Sequence, residues 1–374
     1  MSDFPSRRPT IPSPDVAIVG GGIIGLALAR DLARAGARVS VLERGELGRE
    51  ASAAAAGMLG PQAESDGASA AVTLGVASRR LHVAVAAALR EETGLDVEHQ
   101  DDGIVYVARS VEDDEILARR RAWQVAAGLR AEALDADDVR RVLPGIAADI
   151  HGGVLFPDDH RVDNVRLTTA YALACARLGV ELRAGTPVTA LRRAGDAAVG
   201  VDTAGAHVPA GVVVNAAGAW AGWLAPGLPV RPVRGQMVLL GAPAALAPCA
   251  VYSRAIYLVP RRDGRLLAGS TYEEAGFDAR VTAGAVAEIV ARALALVPAL
   301  ATASFRGAWA GLRPGTPDNL PILGADPEVR GLVHATGHYR SGILLAPITA
   351  RCLTALILEG RAPEDLTPFA PGRF

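Results

Sequence analysis

The chain has 374 residues, half of them hydrophobic, with 38 basic and 40 acidic side chains and a formal charge of −2. That length exceeds one ordinary core and predicts two domains, and arginines dispersed among acids leave no basic stripe for nucleic acid, so the expected partner is small. All 38 basic residues are arginine, which excludes pyridoxal phosphate aldimines, lysine Schiff bases and P-loops of the GKS or GKT type. Met1 to Ser13 is short, polar and proline-containing rather than signal-like, and no uncharged apolar run approaches the roughly 18–20 residues of a bilayer span. The expectation is a cytoplasmic protein with no membrane partner.

The stretch from Asp15 reads DVAIVGGGIIGLALARDLARAGARVSVLER. Val16 to Val19 predict a short buried strand, Gly20, Gly22 and Gly25 a turn, and Ile23 to Ala35 a helix whose free N-terminal amides face a pyrophosphate. Gly20 permits the tight turn, Gly22 lets the backbone approach phosphates, and Gly25 lets helix and strand pack closely. A second strand, Ala37 to Leu42, delivers Glu43, whose carboxylate accepts from ribose hydroxyls and repels a 2′-phosphate. FAD or NAD fits this arrangement and NADP does not.

Ala51 to Leu59 (ASAAAAGML) carries side chains too small to fill a core, which predicts something bulky lying against it. Ser69 to Thr93 reads as a long helix, Val97 to Val107 as strand-like runs around Gly103, and Glu112 to Leu143 as solvated helices ending before Pro144. Arg166 to Leu178 predicts another helix, and Val180 to Leu191 contains a strand. Val212 to Trp220 (VVVNAAGAW) has the pattern of a central parallel strand running into a ligand crevice. Val230 to Leu240, Ala255 to Pro260 and Arg265 to Ser270 read as antiparallel strands of an inserted second domain. Gly331 to Ala335, the ATGHYRSGI segment and a helix from Ile343 to Glu359 return to α/β character, with a second helix N-terminus available for a phosphate or flavin contact. Cys175, Cys249 and Cys352 are isolated in apolar surroundings and read as buried thiols, and the seven histidines lack metal-ligand spacing, so no metal is expected.

Four blocks, GGGIIG with Glu43, SAAAAGML from Ser52, GLRPGTPDNLPILG from Gly311 and GHYRSGILLAP from Gly337, resemble the D-amino acid oxidase superfamily. Within it, AAGML, YLVPR and GSTYEEAGFD are most similar to the flavin-dependent glycine oxidases of thiamine biosynthesis, and the likeness runs almost end to end. The resemblance implies an α/β fold: a Rossmann-like FAD-binding domain of the glutathione reductase type (residues 14–90, 160–222 and 308–370) with an inserted antiparallel-sheet, α+β substrate domain (91–159 and 223–307). It implies that Ile23, Ile24, Glu43, Arg44, Ser52, Ala56, Gly57 and Met58 hold FAD, that Val188 makes an adenine-side backbone contact, and that His338, Tyr339, Arg340, Ser341, Gly342, Ile343 and Leu344 line the isoalloxazine. Arg313 matches the arginine that grips the substrate carboxylate, Arg340 a second substrate-side arginine, and Tyr257 an active-site tyrosine. Relatives form tetramers, which implies a homo-oligomer.

Chemistry supports the placement of Arg313, because an arginine fork fixes a planar carboxylate bidentately. It follows a predicted strand, Ala308 to Leu312, and precedes Pro314; the alternative is a surface salt-bridge arginine. Arg340 stands open between the substrate and the flavin O2 region or cavity rim, and Tyr257 between the active site and a ring packed in a sheet. The expected reaction is hydride transfer from an amino acid Cα to flavin N5, with a neutral amine and no essential protein base, and with dioxygen reduced to hydrogen peroxide. Glycine, sarcosine and small D-amino acids are the candidate substrates. Arg254, Ala255 and Ile256 stand where relatives often carry a histidine, and Tyr272 where an apolar residue is frequent, so substrate preference is open. The rivals are a sarcosine oxidase or a D-amino acid oxidase or dehydrogenase, and a non-catalytic FAD-binding subunit. No cysteine lies near the GLRP block, so the FAD is expected to be non-covalent.

Overall fold

A computed structural model describes residues 15–243 and 246–374; the reading of Met1 to Ser13 and the domain start at residue 14 lie outside them. Val16–Val19 forms an interior strand of a six-stranded sheet ordered Ile322–Ala325, Leu332–Thr336, Val212–Asn215, Val16–Val19, Val39–Leu42, Glu181–Arg183. All neighbours are parallel except the first pair. Alternation along these strands divides the burial. Val16, Ile18 and Val41 face a helical layer made by Ile23–Arg34, Ala70–Thr93, Asn164–Arg177 and Gly342–Glu359. Ala17, Val19 and Val213 face a three-stranded sheet, Val188–Ala194, Ala197–Thr203 and His207–Pro209. Only one strand was expected in that region, since its exposed Arg and Asp residues conceal the period of two.

An eight-stranded sheet runs Ser304–Gly315, Arg231–Gly241, Arg265–Gly269, Tyr257–Pro260, Ala250–Tyr252, Ile104–Ala108, Gly152–Phe156, Glu132–Asp135. It is antiparallel except where Ala250–Tyr252 pairs parallel to Ile104–Ala108, so the expected antiparallel sheet is mixed. Val238, Leu240 and Leu258 pack on one face under the unpredicted helix Ala283–Leu296. Met237, Tyr257 and Val259 project from the other, together with Ala56. The period of two thus turns Tyr257 toward the alanine-rich segment at Ala56. Arg313 sits inside the strand Ser304–Gly315 rather than after one ending at Leu312, and the boundary at residue 308 falls within this strand.

The solvated segment from Glu112 is a helix, Val111–Ala126, then an edge strand, Glu132–Asp135, then a short helix, Ala136–Val142, opened by an Asp135–Asp138 capping box. The strand's polar sequence has no apolar alternation to betray it. Ala70–Thr93 and Gly342–Glu359 are each long and apolar enough to cross a membrane by length and composition, although neither is an uncharged run, since Arg79 and Arg80 interrupt the first and Arg351 the second. Each packs one apolar face into the core of the first sheet.

Candidate active site and dinucleotide crevice

The carboxyl ends of Val16–Val19, Val39–Leu42 and Val212–Asn215 open on a cavity of about 470 Å³, the position where doubly wound sheets bind ligands. A Cβ at Gly20, where φ is +113°, would lie 2.3 Å from the Ala216 carbonyl oxygen, and one at Gly25 would lie 2.0 Å from that of Gly20. Gly25 therefore acts behind the cavity wall by letting helix and turn meet. Gly22 caps the Ile23–Arg34 helix with no side chain of its own, and Ser52 Oγ accepts from the Ile23 amide at 2.9 Å. Glu43 is held by the Gly21 and Gly45 amides, each donating at 2.9 Å to a different carboxylate oxygen. Arg44, Val188, Trp220 and Trp223 surround that end; His338, Tyr339, Arg340, Gly342 and Ile343 line the other.

At the second end the small residues do what their size predicts. Ala51–Ala54 is a single helical turn followed by Ala55, Ala56 and Gly57, and with Met58, Gly235 and Gly311 they enclose a pocket of about 70 Å³. A Cβ on Gly311 would approach Ala54 Cβ to 2.4 Å. A flat ring system fits such a seat because little projects from it. Tyr257, Arg313, Arg340 and Glu64 line the same pocket. A wider cavity of about 910 Å³ opens beyond it, sharing Glu64, Tyr257 and Arg340 and adding Tyr252, Arg254, Tyr272, Ser341 and Leu344. Of the predicted cofactor residues, all but Gly25 line one of these three spaces.

Arg313 is positioned by oxygens of neighbouring strands. Its Nη2 donates to Ser270 Oγ at 2.6 Å and its Nη1 to the Thr271 and Arg234 carbonyls at 3.2 and 3.3 Å. Gly235 leaves the room: a Cβ there would sit 2.2 Å from the guanidinium nitrogens. Among the described residues no carboxylate lies within salt-bridge distance of Arg313, so the surface ion pair is absent, and the charge faces a pocket that it shares with Glu64. Arg340 Nη2 donates to Tyr252 Oη at 3.0 Å, and Tyr252 donates onward to Glu64 Oε1 at 3.3 Å. Burial pushes the Glu64 carboxyl above its usual range against the opposing pull of Arg340. Tyr257 Oη donates to Met237 Sδ at 3.2 Å. Tyr339 holds a φ of +48°, a strained conformation for a non-glycine residue that aims the turn before the last helix.

Three contributors escaped the sequence reading. Glu64 lies in no quoted block. Asn164 Nδ2 donates to the Ser52 and Ala53 carbonyls at 2.8 and 3.1 Å. Arg261 Nη2 donates to the Ala56 carbonyl at 2.8 Å and to Asn164 Oδ1 at 3.0 Å. These two residues pin the alanine-rich turn to the second sheet. The only signals were that Asn164 follows an N-capping Asp163 and that Arg261 ends YLVPR. Ala255 and Ile256 line the wide cavity, and Tyr272, 56% exposed, stands at its rim. Cys175, Cys249 and Cys352 are all buried away from the cavities, and burial raises each thiol, to about 12, 12 and 11.

The profile of the DAO family, FAD dependent oxidoreductase, matches residues 15–356; the chain belongs to that family, is an oxidoreductase, and takes FAD as its cofactor. More particularly, it is 39% identical over 362 residues to the glycine oxidase of Geobacillus kaustophilus, covering 95% of this chain and 96% of that one. The crystal structure of glycine oxidase from Geobacillus kaustophilus superposes with a TM-score of 0.94 over 96% of this chain and 99% of that chain. The bifunctional protein ThiO/ThiG of Synechocystis sp. is 38% identical over 367 residues, 96% of this chain and 54% of that protein. The resemblance carried by the four blocks is what these comparisons return.

Proposed function

We propose that this enzyme oxidatively deaminates glycine, and also sarcosine or small D-amino acids, with dioxygen as acceptor, and that the imine it makes supplies the thiazole of thiamine. One observation carries the reading: Arg313, with no carboxylate at salt-bridge distance among the described residues, faces a pocket of alanine and glycine in company with Arg340 and Tyr257. The fork of Arg313 binds the substrate carboxylate in two parallel hydrogen bonds. Tyr257 closes the pocket beside it and Arg340, braced by Tyr252 and Glu64, supplies a second positive wall. Bound non-covalently, FAD supplies the two-electron acceptor and the route to dioxygen. Glycine loses a hydride from Cα and a proton from nitrogen, giving the imine; dioxygen gains two electrons and two protons, giving hydrogen peroxide. The protein's part is orientation and exclusion of water.

The wide cavity of about 910 Å³ far exceeds what glycine fills and supports the broader substrate reading. The test is the visible spectrum of the yellow protein without oxygen. Bleaching by glycine and recovery in air is the expected result. Bleaching only by sarcosine, D-alanine or D-proline would move the substrate outward along the cavity, and bleaching that air does not reverse would overturn dioxygen as acceptor.

A further inference from the structure

The adenine end of the crevice carries aromatic surface that nothing above employs. Arg44 lies with its guanidinium carbon 3.6 Å from the centre of the Trp220 ring and is tied to Glu50 at 2.5 Å. Trp220 and Trp223 line the crevice beside Glu43, Val188 and Thr189. Phe277 packs against both rings, with centroids 5.4 Å from Trp220 and 5.3 Å from Trp223. Trp223 is nonetheless 69% exposed and Phe277 44% exposed. Leaving that much indole in water is unfavourable unless something covers it.

The three rings come from both halves of the molecule. Trp220 and Trp223 follow the strand Val212–Asn215 of the six-stranded sheet, whereas Phe277 rides on the loop after Arg265–Gly269 of the eight-stranded one. That loop is fastened. Arg234 Nη1 bonds to the Asp278 carboxylate at 3.1 Å and to its carbonyl at 3.2 Å, and the Arg280 and Arg234 side chains hold the Asp278 carboxyl far below its usual range. Arg234 also grips Glu273 at 2.5 Å, so Phe277 cannot drift from the tryptophans without breaking charged contacts.

We propose that Trp223 is an adenine-stacking residue for FAD and that Phe277 is the positioning residue that holds it, making a clamp on the nucleotide end closed across the two sheets. An adenine plane offers a π-face of the right size, and the Arg44–Trp220 stack lines the same end of the crevice. The clamp rests on the family's use of FAD and is independent of the substrate proposed above.

Retention of flavin tests it. The holoenzyme is diluted and free flavin fluorescence is followed; the released protein is then titrated with FAD, with ADP and with FMN. Trp223→Ala and Phe277→Ala are expected to raise the FAD dissociation constant about tenfold, within the usual worth of base–aromatic stacking. ADP binding should weaken in parallel and FMN binding should hold, because FMN lacks the adenine. Trp223→Phe and Phe277→Leu, which keep an apolar side chain, are expected to lose about threefold on the same scale and stand in if the alanine variants do not fold. Unchanged FAD retention overturns the clamp. So does an equal loss of ADP and FMN affinity, the sign of a merely structural role.

Discussion

The crevice beside the Ile23–Arg34 helix and the pocket beneath Tyr257 address their ligands with different parts of the chain. In the crevice the wall at the helix start is largely main chain: Gly20, Gly22 and the first helical amides, with the Glu43 carboxylate pinned by the Gly21 and Gly45 amides. The stretch from Val19 to Ala55 supplies that wall, and segments at 187–189, 216–224, 312–314 and 335–343 complete the crevice. In the pocket the surface is side chain, brought together by Ser304–Gly315, Tyr257–Pro260, the turn before Gly342 and the loop holding Glu64. A backbone site fails when a side chain is added; a side-chain site fails when one is removed.

The sharpest way to separate the two is Arg313→Ala. The variant should retain FAD with an unaltered visible spectrum, while kcat/KM for glycine falls roughly a thousandfold, as truncating one side of a desolvated charge pair costs about 4 kcal/mol. Steady-state kinetics on flavin-replete protein would measure it. Turnover within a factor of a few of the parent would remove Arg313 from the site. The reciprocal change is Gly25→Val. Its Cβ falls 2.0 Å from the Gly20 carbonyl oxygen, so helix and turn must separate, at a cost of about 3 kcal/mol or more. Protein purified from this variant should be colourless, and stoichiometric FAD in it would show that the close approach is not needed.

The same contrast explains what the sequence revealed. The dinucleotide turn was legible because its determinants are local: a four-residue apolar strand, glycines where a Cβ meets backbone, and a helix start within a few residues. The long helix read from Ser69 to Thr93 was likewise visible, and Ser69 proves to be its N-cap. The pocket was legible only through resemblance. Nothing around Arg313 announces that Gly235 on the paired strand opens space for its guanidinium, since that match is made by the register Gly235 to Gly311. Glu64 acquires meaning only when Ala250–Tyr252 places Tyr252 between it and Arg340. The edge strand Glu132–Asp135 and the three-stranded sheet were missed for a different reason: half-exposed strands rich in Asp and Arg lose the alternation that marks a buried face.

Between the two regions lies Arg261, which belongs to the second sheet yet fixes the turn on which the flavin is expected to rest. Burial lowers its guanidinium to about 10, and Asp163 stands 3.5 Å from Nε. Arg261→Met should destabilise the fold by about 3 kcal/mol, the usual loss when one partner of a buried charged network is removed. It should also loosen FAD more than it changes the KM for amino acid, because the released carbonyl belongs to Ala56. Denaturant midpoints together with flavin release would decide. A variant with normal stability and flavin retention would show that Asn164 alone positions the turn.

The smallest expected effect concerns acid, and it too should divide the regions. Burial pushes His82 down to about 4 and His338 to about 3. Both brace the helix Gly342–Glu359: His82 Nε2 donates to the Leu344 carbonyl at 3.0 Å, and His338 Nε2 meets Thr349 Oγ1 at 3.0 Å. An unfolded histidine takes up a proton near 6.5, so each native, neutral imidazole contributes stability that is complete above that value and lost as pH falls toward 4 or 3. The loss is about 1.4 kcal/mol per histidine for each pH unit in that window. The eight-stranded sheet carries neither residue, so acid should free flavin by weakening the last helix before it disturbs the sheet that holds Arg313. His82→Gln keeps a donor for Leu344 without a group that titrates there. Its unfolding free energy between pH 6.5 and 4.5 should therefore fall less steeply than the parent's, by about that one-histidine slope. Parallel slopes would mean that His82 is already protonated in the folded enzyme, and the acid weakness would then have to be sought outside the crevice.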